Sequence, residues 1–361
     1  MLATHAPRIR WVPLAIALIG ALACHDDDAA TAPAAGAVRV RLQYVGGRGG
    51  AALRVSARVG ATIRSATVGT SDQVMLGIGL SPADSVEIRV EESGSGTPRF
   101  HPAIATISGP DVRATQTFVL VPRRWTIAAG AGATSPCRYT GQTVDIDLEL
   151  AYARSVADPS SFYWRTPGAG GGWTYRTAAF PASALPVPVA FDRTIGTDPV
   201  TDADSASFWS VVNELESELC TNAFQPVVMT AVSPPRGVRI FIDRGLDAVA
   251  RGGPNIETER GASVIVGGSI VCRAASCLAS GEVTRHELLH VLGFGHSCAW
   301  PTIMRAGCAG EPRASASDVA YFQVYYAARS LQLSAGAQHA LAAAHQGQRV
   351  IARGLPAEPV R

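Results

Sequence analysis

The chain has 361 residues, 47% hydrophobic and 17% charged, with a formal net charge of +2. That composition is globular, and the length allows two domains, each with its own core. All 31 basic residues are Arg, which excludes chemistry that needs an amine side chain, such as Walker-A phosphate binding or Schiff-base catalysis. No long basic run asks for nucleic acid as a partner.

Arg8 and Arg10 precede an apolar stretch from Trp11 to Ala23 that is too short for a permanent membrane anchor. It ends in the small-x-small pattern Ala21-Leu22-Ala23, and Cys24 follows. These features predict a signal peptide over 1–23 and an exported protein whose mature form starts at Cys24. Residues 20–24 resemble a bacterial lipobox. That resemblance implies lipidation of Cys24 and a cell-envelope lipoprotein, with free secretion as the other reading. The lipid would then be the expected membrane contact. Residues 24–36 read as a flexible tether.

From 37 to 122 the pattern has period two. Val38, Val40, Leu42 and Tyr44 alternate with Arg39, Arg41 and Gln43; Leu53 to Val59 and Val86 to Val90 alternate likewise. Short alternating runs between Gly- and Ser-rich turns predict an antiparallel β-sandwich. Residues 123–185 read as a connector or as the opening sheet of a second domain. They contain a strand-like run, Val144–Leu150, a glycine run, Gly168–Gly172, and aromatics at Phe162, Tyr163, Trp164, Trp173 and Tyr175. Val187–Phe191 reads as a strand. A helix capped by Asp204 or Ser205 is expected to run to about Leu219, with Phe208, Val211, Val212, Leu215 and Leu219 on one face. Val238–Ile242 and Ser263–Val266 are further strands. Residues 331–361 form an Ala-rich tail with a weak helix over Ser334–Arg353.

Apart from Cys24, the cysteines are 137, 220, 272, 277, 298 and 308. An even number in an exported chain predicts disulfides. Cys272 with Cys277, and Cys298 with Cys308, are close enough in sequence to pair, but sequence does not choose among the pairings.

Residues 282–296 read Glu-Val-Thr-Arg-His-Glu-Leu-Leu-His-Val-Leu-Gly-Phe-Gly-His. His286 and His290 are four apart, so a helix sets both imidazoles on one face. Two neutral ring nitrogens so placed can fill two tetrahedral positions on Zn²⁺. Gly293 lets the backbone leave the helix in a left-handed conformation, and His296 can return as a third ligand. Glu287 is then free to act as general base on a water at the fourth position. Between residues 102 and 338 these are the only histidines. Glu311 is a weaker candidate third ligand. The acidic run Asp198–Asp204 is a weak candidate for calcium, because it lacks the EF-hand spacing.

The segment HELLHVLGFGH resembles the extended zinc-binding motif of the metzincin metallopeptidases. Met304, eight residues after His296, and Ser297 are placed as in the matrixin branch. Ala306 stands where other branches carry a Tyr ligand. The resemblance covers about residues 186–330. It implies an α+β chain in which the β-sandwich is followed by a metzincin-like zincin domain, with a twisted, mostly parallel sheet, an active-site helix and a closing helix near Asp318–Arg329. It also implies one catalytic zinc held by His286, His290 and His296, Met304 as an apolar floor, and peptide-bond hydrolysis with Glu287 as base. Structural-zinc histidines and a cysteine-switch propeptide are both missing from the pattern. The expected protein is therefore an exported, monomeric zinc endopeptidase acting on a protein or peptide, with an extended substrate pairing near Ala262–Gly268. The other reading is a cell-surface binding protein with an inactive peptidase fold.

Overall fold

The structure is a computed structural model. It describes residues 36–352 except 82, 109–114, 130–136, 147–163, 168–172, 177–178, 182–183, 228–236, 260–261, 297–300, 306–310 and 344–349. The expected signal peptide over 1–23, Cys24, the glycine run Gly168–Gly172, Cys298 and Cys308 lie outside the described residues.

The period-two segment forms β1 (Ala37–Tyr44), β2 (Leu53–Val59), β3 (Thr62–Thr67), β4 (Gln73–Gly77), β5 (Ser85–Glu92), β6 (Ala103–Ser108) and β7 (Gln116–Leu120). A four-stranded sheet has the order β3-β2-β5-β6 and a three-stranded one the order β4-β1-β7. Their inward positions, among them Val38, Val40, Val55, Ile88, Val90 and Leu120, form one buried cluster. The expectation of a purely antiparallel sandwich needs correction, because β1 pairs with β7 in parallel. The reason is a crossover: β6 belongs to one sheet and β7 to the other, so the chain enters the second sheet in the same direction as β1.

β8 (Arg124–Thr126) and β9 (Thr143–Asp145) form a two-stranded ribbon, as do β10 (Trp164–Pro167) and β11 (Trp173–Arg176). The first ribbon belongs with the second half of the chain. Trp125 Nε1 donates to Gln323 Oε1 at 2.9 Å, and Gln323 Nε2 donates to Ala128 O at 2.6 Å. Val45, Ile127 and Ile146 lie in the second core cluster accordingly.

That second core surrounds a six-stranded sheet. Its strands are β12 (Val187–Phe191), β13 (Phe224–Pro226), β14 (Val238–Ile242), β15 (Ala250–Glu259), β16 (Ala262–Cys272) and β17 (Val350–Ala352), in the order β13-β12-β14-β16-β15-β17. The first three pairings are parallel, and the two involving β15 are antiparallel. β16 is longer than the Ser263–Val266 expected and lies inside the sheet, so Ala262–Gly268 is not the outer strand. β15 lies beyond it. Its Gly-Gly-Pro-Asn sequence has no apolar alternation, which hid it from a pattern-based reading.

Helix α1 (Asp202–Leu219) packs Phe208, Val212, Leu215 and Leu219 into this core. Each such burial contributes about 1.5–3 kcal/mol. Its N-cap is Thr201, with Asp204 closing a capping box, in place of the expected Asp204 or Ser205 cap. Two short helices follow the sheet, α2 (Ser276–Ala279) and α3 (Gly281–Val291). The closing helix α4 (Ala316–Ala343) is longer than the Asp318–Arg329 expected. It takes in the start of the segment read as a separate weak helix over Ser334–Arg353, whose end forms β17 instead. An uninterrupted Ala-rich run with no Gly or Pro until Gly336 gives α4 no stop signal. Among the described residues there are two disulfides: the expected Cys272–Cys277, and Cys137–Cys220, which spans 83 residues and ties the connector to the end of α1.

Candidate metal centre

The helix that carries His286 and His290 is fixed at its start. Ser280 caps α3 by accepting from Val283 N at 3.5 Å, and Thr284 Oγ1 donates back to Cys277 O at 2.9 Å. The Cys272–Cys277 bridge joins this corner to the end of β16. Leu288, Leu289, Val291 and Leu292 bury the helix in the core. Gly293 then adopts a φ of 102°, a left-handed value that a side chain rarely tolerates, and the chain turns back at this residue.

The turn brings the three histidines together. His296 Nε2 lies 3.0 Å from His286 Nε2 and 3.0 Å from His290 Nε2. Among the described residues, these three form a group able to hold a metal ion. Each of the two helix ligands is oriented from behind. His286 Nδ1 lies 2.7 Å from Ile303 O, and His290 Nδ1 lies 2.7 Å from Phe294 O. A carbonyl oxygen only accepts, so both Nδ1 atoms carry the proton and both Nε2 atoms present lone pairs. His296 can place one N–H toward one of them at most. The remaining lone pairs converge, an arrangement that a cation relieves and that neutral imidazoles alone do not. Burial, then the neighbouring His296, pushes His286 down to about 3, against the opposing Ile303 hydrogen bond. Burial pushes His290 well below its ordinary value too. The two helix rings are therefore neutral donors at physiological pH, the form a metal requires. Spacings of 3.0 Å suit metal–nitrogen contacts of about 2.0–2.1 Å, and three imidazoles suit a first-row transition metal, zinc among them.

Glu287 is fully buried. Its Oε2 accepts from Gly252 N on β15, while Oε1 has no hydrogen-bond partner. Burial raises its carboxyl to about 8, opposed by the Gly252 N–H and by Arg251. Gly252 has to be glycine. A Cβ there would lie 2.6 Å from Glu287 O and 2.7 Å from its Oε2.

Met304 is buried below the turn. Its N–H donates to Thr302 Oγ1 at 3.0 Å, and Thr302 Oγ1 donates to Asp318 Oδ1 at 2.5 Å. Asp318 is in turn the capping partner of Ser315 at the start of α4, so the closing helix and the methionine turn share one carboxylate. Tyr326 OH, also on α4, donates to Leu292 O at 2.8 Å, and Phe294 contacts the rings of Phe322 and Tyr325. On the helix's other side, buried Arg285 faces Glu214 and Glu218 of α1.

His286, His290 and His296 thus meet at one locus, with Gly293 in the turn between them, Glu287 on the same helix, and Met304 next in the chain to the carbonyl that holds His286. Glu311 is exposed and is not part of the histidine group. The acidic run is otherwise engaged, Asp198 with Arg244 and Asp204 with Thr201. Gly252, Thr302, Asp318 and Arg285 were not anticipated. The Ser315-x-x-Asp318 spacing is a readable capping box, whereas Gly252 carries no local signal.

No family model matches the chain, and no curated protein does. Among solved structures, a pilus adhesin from Streptococcus pneumoniae aligns at 8% identity with a TM-score of 0.17, over 80% of this chain and 39% of the adhesin.

Proposed function

We propose that the chain is an exported zinc-dependent endopeptidase of metzincin-like, matrixin-like design. One observation carries this reading: three Nε2 atoms converge, and the two rings locked by backbone carbonyls stand on the same helix that buries Glu287, while His296 returns after the Gly293 turn. His286, His290 and His296 would hold the metal. When bound, zinc supplies a Lewis acid for a carbonyl oxygen and an acidified water.

The chain's own groups do the rest. Glu287 is anchored through Oε2 by Gly252, which leaves Oε1 to take a proton from the attacking water and to pass it to the leaving nitrogen. Burial keeps bulk water from competing for that proton and makes the carboxylate a stronger base than an exposed Glu. Ile303 and Phe294 hold two imidazoles in the tautomer that directs Nε2 inward. The preference for peptide bonds rests on the resemblance of the motif.

The test is cleavage of denatured protein by the purified mature chain, with zinc measured on the same sample. Chelation should abolish cleavage and added zinc restore it. Cleavage that persists without metal, or full zinc loading with no hydrolysis of any peptide, overturns the assignment.

A further inference from the structure

β17 occupies a telling place. It pairs antiparallel with β15, Val350 opposite Thr258, Ile351 opposite Glu257 and Ala352 opposite Ile256. Contacts between α3 and the sheet locate that pairing relative to the metal centre. Glu287 lies against Gly252, and Val291, one turn on, lies against Gly268, whose partner on β15 is Pro254. The tail strand ends two residues farther along, at Ala352 opposite Ile256. Its direction carries the chain from Thr258 toward the Gly252 end of β15. Among the described residues, Ala250–Asn255 have no strand on that outer side. An exposed strand edge is a template for an added chain. Here a piece of the same polypeptide has taken part of it, on the strand whose Gly252 holds Glu287.

We propose that β17 is an autoinhibitory strand: the tail docks in cis along the β15 edge and competes there with an extended peptide. This rests on the peptidase reading for its consequence, but not for the docking itself. The occupant is Val350–Ala352, an apolar trio that can add backbone hydrogen bonds without introducing charge. Such a strand lowers the apparent affinity for any peptide by the fraction of time the edge is free. An edge open about a tenth of the time weakens binding about tenfold.

The direct test uses the full chain carrying Glu257→Cys and Ile351→Cys. Directly opposed strand positions have Cβ atoms about 4.5–5.5 Å apart, within reach of a disulfide. Mild oxidation should give the 257–351 bond, identified by mass spectrometry. Built on Glu287→Gln, which prevents self-digestion, the crosslinked chain should bind a fluorescent peptide from unfolded casein at least about tenfold more weakly than its reduced form. A chain ending at Ala343 should bind that peptide about tenfold more tightly than the full chain. Its amides at Asn255–Thr258 should exchange faster. No crosslink, together with unchanged exchange after truncation, overturns the docking. Faster exchange and tighter peptide binding, with no hydrolysis by the zinc-loaded, unmutated chain, upholds the docking and rejects the peptidase reading.

Discussion

The ring N–H of His286 donates to the carbonyl oxygen of Ile303 at 2.7 Å, so the residue immediately before Met304 orients a candidate metal ligand. The turn before Met304 and the histidine-bearing helix α3 are therefore one unit. That unit extends through Thr302 and Asp318 to the start of α4. Asp318→Ala removes the acceptor for Thr302 and the capping partner of Ser315 together. We expect a loss of about 1–3 kcal/mol in urea unfolding, with weaker zinc retention. Unchanged zinc affinity would separate the turn from the metal centre.

Glu287→Gln keeps the side chain's shape and its Oε acceptor for Gly252, and removes the base. Hydrolysis should fall about 10²–10⁴-fold while zinc content stays at the wild-type level. Activity close to wild type would assign the base elsewhere.

Gly252→Ala places a methyl group 2.6 Å from Glu287 O. Either β15 or α3 must move, at a cost of about 1–3 kcal/mol, and the Glu287 anchor is lost. A fall in kcat larger than the change in KM, at full zinc occupancy, is the expected signature. An unaltered unfolding midpoint would contradict the close packing.

Arg285 and Glu218 are both buried, their side chains 5% and 6% exposed, with Nε and Oε2 3.5 Å apart. Arg285→Ala leaves the buried Glu218 carboxylate with only Ala314 N and the half-exposed Arg313 as partners and should cost about 1–3 kcal/mol. The double change Arg285→Met with Glu218→Leu should recover most of that loss, as read by thermal unfolding. No recovery would show that the pair does more than neutralise itself.

Burial raises the Glu216 carboxyl above 4.5, although Ala223 N and Phe224 N donate to its Oε1 at 2.8 and 2.7 Å. Above 4.5 the folded chain thus holds a proton that the unfolded chain has released. Its contribution to stability is complete below that pH and is lost as pH rises through the raised value. Glu216→Gln keeps the Oε1 acceptor and should flatten the stability profile just above pH 4.5, measured by unfolding at several pH values. A profile that keeps its slope would locate the titration in another group.

Much of the candidate metal centre was legible because its signals are local. Two histidines one helical turn apart, a glycine with positive φ and a returning histidine all lie within 11 consecutive residues. The sandwich strands were legible for the same reason, their alternation being a short-range pattern. What failed depends on distant partners. The parallel pairing of β1 with β7 follows from a sheet-to-sheet crossover that no local pattern records. Cys137 meets Cys220 across 83 residues. β15 is stabilised as a strand by β16 and by the closeness of α3, so its Gly252-Gly253-Pro254 sequence carries the opposite local preference.

X-ray absorption at the zinc edge, on protein loaded with one equivalent of the metal, tests the central claim most directly. The account predicts imidazole scattering from three nitrogens at about 2.0–2.1 Å, with the imidazole count falling by one in His296→Ala. A sulfur shell at about 2.3 Å, or no bound zinc in the unmutated chain, would contradict it.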